Sequence, residues 1–138
     1  MNGLECDIRM TLEQKVDNLS DKSSFVYKGT YMDRVEKRFI TYRETTEEGQ
    51  SDVLLKFDAK SMSMTKSGTT NYKMEFSLDG PTDCTISTPA GKLPMRVTTK
   101  RMVIKQYDDV IELEADYDLH QAKMLLSSNH LKIDIKIK

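Results

Sequence analysis

Long apolar runs are missing from this chain. None approaches the ~20 residues that a membrane-spanning helix needs, so no membrane partner is expected. The first residues, Met1-Asn2-Gly3-Leu4-Glu5, lack the basic-then-apolar pattern of a signal peptide, which leads to an expectation of cytoplasmic residence. Cysteine is scarce: Cys6 and Cys84 stand far apart, as expected of reduced, buried and inert thiols rather than a disulfide framework. Histidine is as scarce. His120 and His130 have no cysteine spacing to help them, and zinc needs three or four ligands, so no metal site or cofactor is expected. Charge of one sign is also missing. A formal net charge of -1 argues against nucleic acid as a partner, because that binding rests on neutralising phosphates. Aromatic residues are 7% and do not interleave with basic ones as a single-strand stacking surface requires. Finally, no stretch has a convincing helical period, so a glycine-rich phosphate loop leading into a helix is excluded.

What the chain does have is alternation. Ile111, Leu113, Ala115, Tyr117 and Leu119 alternate with Glu112, Glu114, Asp116 and Asp118. Leu131, Ile133, Ile135 and Ile137 alternate with Lys132, Asp134, Lys136 and Lys138. A spacing of two describes half-buried β-strands. One wet face is acidic and the other mostly basic, so the two strands suit each other as antiparallel neighbours.

The same period runs through the rest. Leu4, Cys6, Ile8, Met10 and Leu12 mark a first strand. Residues 14–24 lose the alternation and read as a connecting segment with some mobility. Phe25, Tyr27, Gly29 and Tyr31 mark a second strand, in which Gly29 signals a bend, a bulge or close backbone approach. Further strands centre on Ile40 and Tyr42, on Val53 to Phe57, on Met62 and Met64, on Tyr72 to Leu78, and on Cys84 and Ile86. Turn residues such as Glu47-Glu48-Gly49, Asp79-Gly80-Pro81 and Pro89-Ala90-Gly91 separate them at intervals of roughly ten residues, the signature of a sandwich or barrel.

Two irregularities stand out. In the eighth strand, Leu93, Met95 and Val97 are odd while Met102 and Ile104 are even, which predicts a β-bulge near Thr99–Arg101. In the closing pair, a two-residue loop would set dry positions against wet ones, so the loop has an odd length or a bulge intervenes, and that irregularity is placed at Met124-Leu125-Leu126 followed by Ser127-Ser128. The 138 residues suit one domain, 1–138. The expected fold is all-β, an antiparallel up-and-down meander of about 8–10 strands. It forms a closed or nearly closed barrel whose edges are hidden by pairing the last strand with the first. Outward Glu5 and Asp7 would then meet lysines of the tail.

Residues Ile86-Ser87-Thr88-Pro89-Ala90-Gly91-Lys92-Leu93-Pro94-Met95-Arg96-Val97-Thr98-Thr99-Lys100 resemble a segment of the YwiB-like bacterial proteins. The ending Ser127-Ser128-Asn129-His130-Leu131-Lys132-Ile133-Asp134-Ile135 is similar to their closing strand. Tyr42-Arg43-Glu44 and Lys66-Ser67-Gly68 fall where that family carries Tyr-x-Glu and a basic residue before glycine. The resemblance runs from about Ser24 to the end. It implies a calycin, lipocalin-like barrel in a small bacterial cytoplasmic protein. It carries no activity, so no catalytic residue follows from it. The chain has no tryptophan, so the Gly-x-Trp motif of true lipocalins is absent, and their ligand chemistry does not follow from a fold name.

Few residues point to chemistry of their own. Ser63-Met64-Thr65-Lys66 matches Ser-x-x-Lys, but that motif works across one helical turn and here lies in a strand. The carboxylates from Glu112 to Asp118 read as a solvated face rather than an acid/base pair. Glu44 shares parity with Ile40 and Tyr42 and points inward on this reading. An inward carboxylate needs a partner, which Arg96 or Lys66 can supply; it is either a structural ion pair at the barrel mouth or a ligand anchor. Methionines Met62, Met64, Met74, Met95, Met102 and Met124 fall mostly on inner faces, as adaptable filler or as the lining of an apolar cavity. Tyr27, Tyr42 and Tyr117 can orient a ligand through their hydroxyls.

The candidate ligand-binding set is therefore Tyr27, Tyr42, Glu44, Met74, Met95, Arg96 and Tyr117, with no catalytic residue named. The function expected is non-enzymatic binding of a small, mainly apolar ligand inside the barrel. The alternative is an interaction or structural module with a solid core, working through its exterior or an edge strand as a homodimer. An enzyme with a site at the barrel mouth comes third.

Overall fold

Backbone pairing dictates the architecture, because every strand must find partners for its N–H and C=O groups. A computed structural model describes residues 3–138; Met1 and Asn2, which open the stretch weighed as a leader, lie outside them. The strands are β1 (Leu4–Val16), β2 (Leu19–Arg34), β3 (Lys37–Thr46), β4 (Gly49–Phe57) and β5 (Met62–Gly68). They continue as β6 (Tyr72–Phe76), β7 (Thr82–Thr88), β8 (Gly91–Tyr107), β9 (Val110–Gln121) and β10 (Met124–Ile137). All pair antiparallel in one sheet of order β6-β5-β4-β3-β2-β1-β10-β9-β8-β7, curled into a nearly closed barrel. Among the described residues no helix is long and apolar enough to cross a membrane, which says nothing of a barrel.

The chain ends zip together from Cys6↔Ile137 to Lys15↔Ser128. Lys138 N–H donates to Glu5 O at 2.9 Å, and Lys138 Nζ lies 3.3 Å from Asp7. This contact places both termini in the middle of the sheet. It does not close the barrel. The seam instead falls between β6 and β7, which share one isolated bridge, Asn71↔Ser87, with backbone hydrogen bonds of 2.9 and 2.8 Å. Thr82 Oγ1 adds a bond of 2.6 Å to Glu75 O across the same seam.

Residues 14–24 are not a loop. They extend β1 and β2 into one long hairpin around Asp17-Asn18, paired from Gln14↔Asp21 to Val16↔Leu19. Asp17 takes the left-handed backbone, φ 55°, that lets the two-residue turn close. Alternation is missing there because the tip projects beyond the core and buries neither face.

The predicted bulge in β8 is present, and the irregularity expected in the closing pair is a bulge as well. The β8–β9 register shifts between Thr99 and Arg101, and the β9–β10 register between Leu125 and Ser127. Before the first shift Val97 and Thr99 are buried; after it Met102 and Ile104 pack against the core. Lys100 is the extra residue, and its ammonium reaches Asp118 at 2.9 Å. Inward polar groups beside the second bulge satisfy one another: Asn129 Nδ2 donates to Ser127 Oγ at 3.1 Å and to Tyr117 O at 3.3 Å.

Inner faces of all ten strands meet in one core, with Ile8, Ile40, Leu55, Leu113 and Ile133 fully buried. Cys6 and Cys84 are buried in it too, and burial pushes both thiols up. Leu93 departs from the expected inner face. It stands half exposed near the end of the β7–β8 hairpin, beyond the core.

Gly29 marks close backbone approach: a Cβ there would sit 2.4 Å from Thr41 O and 2.9 Å from Ile8 Cδ1. A backbone oxygen cannot step aside cheaply, so Gly29→Ala is expected to lower stability by about 1–3 kcal/mol in urea unfolding. Deleting Lys100 removes the bulge and turns one half of β8 inside out. That variant is expected to lose more than about 3 kcal/mol or its cooperative transition. Lys100→Ala keeps the extra residue and is expected to lose about 1 kcal/mol or less. Equal unfolding midpoints for the two Lys100 variants would show that the bulge does not set the faces.

Candidate functional site

The barrel wall splits just past Gly29. The β2–β3 ladder runs from Arg34↔Lys37 to Gly29↔Tyr42 and stops. Beyond it, β2 continues with β1 alone, while β3 continues with β4 as far as Thr46↔Gly49. A cavity of about 590 Å³ opens in the fork. Ser24, Phe25 and Tyr27 form one lip; Tyr42, Glu44 and Thr45 form the other. The far wall comes from Met64 and Lys66 of β5, Tyr72, Met74 and Phe76 of β6, and Tyr117 of β9. Met10, Leu12 and Leu131 close the side.

Register explains why these side chains share a face. Tyr42 pairs with Val53, Val53 with Lys66, and Lys66 with Tyr72, giving one inward row across four strands. Met64↔Met74 forms the next inward row, and Glu44 lies two residues beyond Tyr42 on the same side. Lys66 is thus carried inward by the parity of Met62 and Met64.

Glu44 and Lys66 meet. Lys66 Nζ lies 2.8 Å from Glu44 Oε1, with the side chains only 16% and 22% exposed. Tyr27 Oη donates to Glu44 Oε2 over a long 3.5 Å, and the Lys66 ammonium sits 5.4 Å from the centre of the Tyr72 ring. Charge inside a partly desolvated cavity is therefore matched one to one.

Aromatic rings and phenols supply the rest of the character. Phe25 stacks on Tyr27 with centroids 6.2 Å apart, and Tyr27 on Tyr42 at 4.5 Å. Phe76 meets Tyr117 edge-on at 5.0 Å. Burial, followed by the Glu44 charge, pushes the Tyr27 phenol up to about 12. Burial first and neighbouring ionisable groups second hold Tyr42, Tyr72 and Tyr117 well above the ordinary phenol range. All four phenols stay protonated, and so stay donors, near neutrality. Among the described residues Tyr72 Oη gives its proton only to the Met64 sulfur, at 3.5 Å.

Of the residues singled out in the sequence, Tyr27, Tyr42, Glu44, Met74 and Tyr117 come together here. Arg96 does not. It is even-numbered on a half-strand whose odd positions face in, so it points outward and pairs with Asp83 at 3.3 Å. Lys66 is the partner of Glu44. Met95 packs half-buried against the core and does not line the cavity. Tyr72 and Met10 line it without having been singled out as binding residues. Tyr72 shares the parity of Met74 and Phe76, a signal the sequence did contain; the place of Met10 depends on how β1 curls. The histidines do not meet: His120 faces Leu125 in the ladder, whereas His130 contacts Asp116 and lies 3.7 Å from Glu114. Among the described residues no cluster of histidine, cysteine or carboxylate side chains is arranged to hold a metal ion.

A second cavity, of about 640 Å³, lies near the β4–β5 turn between Phe57, Met62 and Phe76 and the Met102–Ile104 stretch of β8, with Lys37, Lys56 and Lys73 at its rim. It is richer in charge; of the methionines singled out from the sequence Met62 and Met102 line it, but none of the candidate ligand-binding set does.

Comparison with known proteins agrees with the fold. The crystal structure of ywiB protein from Bacillus subtilis superposes with a TM-score of 0.89, covering 99% of this chain and 93% of that one at 15% identity. At that identity the likeness speaks for the fold alone. No curated protein matches the chain. The family described as Domain of unknown function (DUF1934) matches residues 8–133, nearly the whole barrel, and the chain belongs to that YwiB-like family.

Proposed function

We propose that this protein is a non-enzymatic binding protein of calycin type, which holds a small, mainly apolar ligand in the fork between β2 and β3. The observation that carries the reading is the 590 Å³ cavity lined by methionine and aromatic side chains with a few convergent polar groups. That size and lining suit a small-molecule site. Three thioethers, from Met10, Met64 and Met74, give an adaptable surface. An enzyme at the mouth is disfavoured, because Glu44 and Lys66 each spend their charge on the other. Residence in a bacterial cytoplasm goes with this reading and rests on the resemblance and on composition.

One observation favours a second reading, a homodimer through the exterior. Val16, Leu19, Met124 and Leu125 are 46%, 79%, 66% and 51% exposed. They sit at the β1–β2 and β9–β10 hairpin tips, which β1 brings together by pairing with both β2 and β10. Light scattering at high concentration separates the two: a monomer removes the dimer reading, and a dimer lost on Leu19→Ser with Leu125→Ser supports it.

The binding reading is tested with N-phenylnaphthylamine, whose fluorescence rises in apolar surroundings. Saturable binding of one probe per chain is expected, weakened at least about fivefold by Met74→Phe, since a large ring takes up cavity space. A linear, non-saturating signal would remove the ligand reading. The Glu44–Lys66 pair is tested by a double-mutant cycle. Lys66→Met strands a half-buried carboxylate and is expected to cost about 1–3 kcal/mol, most of which returns in Glu44→Gln/Lys66→Met. Unchanged probe affinity in the double variant marks the pair as structural; a loss of binding marks it as an anchor.

A further inference from the structure

The cavity lining restricts ligand chemistry more narrowly than apolarity alone, an inference that rests on the binding function proposed for the same cavity. Among the described residues one anion and one cation line the cavity, Glu44 and Lys66, and they lie 2.8 Å apart. A charged ligand would have to break that pair or remain unpaired in a partly desolvated space. The fitting ligand is neutral.

Phenol hydroxyls without a protein acceptor line the cavity. The hydroxyls of Tyr42 and Tyr117 make no side-chain or backbone hydrogen bond among the described residues, and neither is sealed off; the one sealed, unpartnered side-chain polar atom there is Thr99 Oγ1. Tyr72 Oη has only a sulfur, a weak acceptor. Donors of this kind on buried residues are satisfied by an acceptor on the ligand, and a carbonyl oxygen supplies one.

Shape is set by the rings. Phe25, Tyr27 and Tyr42 stack with interplanar angles of 13° and 25°, and Phe76 meets Tyr117 at 66°. Flat rings gain from offset stacking and edge contacts with such a lining, and the methionine sulfurs add favourable contact with a ring.

We propose that the cavity takes a flat, uncharged ring bearing carbonyl oxygens, a quinone-type molecule, with Tyr42 and Tyr117 donating to its oxygens.

The test is displacement of bound N-phenylnaphthylamine by three competitors. Tetramethylbenzoquinone carries two carbonyls and no free ring position for thiol addition. Tetramethylbenzene has the same methyl pattern without carbonyls and is the more hydrophobic. Laurate carries a charge. A cavity that reads hydrophobicity alone prefers the hydrocarbon. The proposal expects the quinone to compete at least about tenfold better, the worth of one or two hydrogen bonds. In Tyr42→Phe/Tyr117→Phe the preference is expected to vanish while the hydrocarbon competes as before, which also shows that the variant is folded. Preference for the hydrocarbon or for laurate overturns the carbonyl proposal and leaves the binding reading standing. A probe that never binds overturns both.

Discussion

The ladder between β1 and β10 is the constraint on which the rest of the structure depends. A meander of ten strands has two free edges, and unpaired edges invite association. Zipping the first strand to the last turns both termini into central strands, so the free edges become β6 and β7, in the middle of the sequence. Those two strands, only 5 and 7 residues long, expose little backbone and share a single bridge. The barrel is therefore held most firmly where the chain begins and ends. The cavity lies in the half built from β2 to β6, where strands shorten and part.

Alternation was readable wherever one face is buried, and it failed where none is. The strand centres, the positions of the turns and both irregularities could be read from residues such as Val97 and Met102, because a buried face forces apolar side chains onto one parity. The polar stretch 14–24 is strand all the same, since its backbone pairs without burying anything; composition reports burial, and pairing leaves no such mark. Arg96 was misplaced for a related reason. Its charge suited Glu44, but its parity pointed out. Which strands part company, and hence where a cavity opens, depends on Gly29 pressing against Thr41 and on the curl of the sheet. Those are contacts across the fold, which no local pattern records.

Charge on the outer face follows the same lesson. Glu114, Asp116 and Asp118 looked suited to the lysines of β10. The register brings Lys132 opposite Glu114, yet the ion pairs to those acids come from Arg101 and Lys100 of β8, and His130 contacts Asp116. The bulge is the cause, because it presents two consecutive basic residues, 100 and 101, towards β9. Burial by itself would raise the Asp118 carboxyl. Hydrogen bonds from Lys100 and Ser128 outweigh that and hold it below its usual range. One inserted residue thus keeps the inner face dry past Thr99 and neutralises the acidic stripe outside.

The Glu44–Lys66 pair fits poorly with a core built only for stability. Two charges at 16% and 22% exposure lose much of their hydration, and an apolar pair of similar volume would serve a packed wall at least as well. Glu44 stands where the ladder has already ended, on a lip that meets β2 through side chains and not through backbone pairing. A purely apolar lip there would be free to collapse onto β2 and fill the fork. Tying Glu44 to Lys66 links the β3 lip to β5, two strands away, while leaving no net charge inside. The pair thereby joins two walls of the cavity, and the stacked tyrosines and the methionines supply most of the rest of its lining.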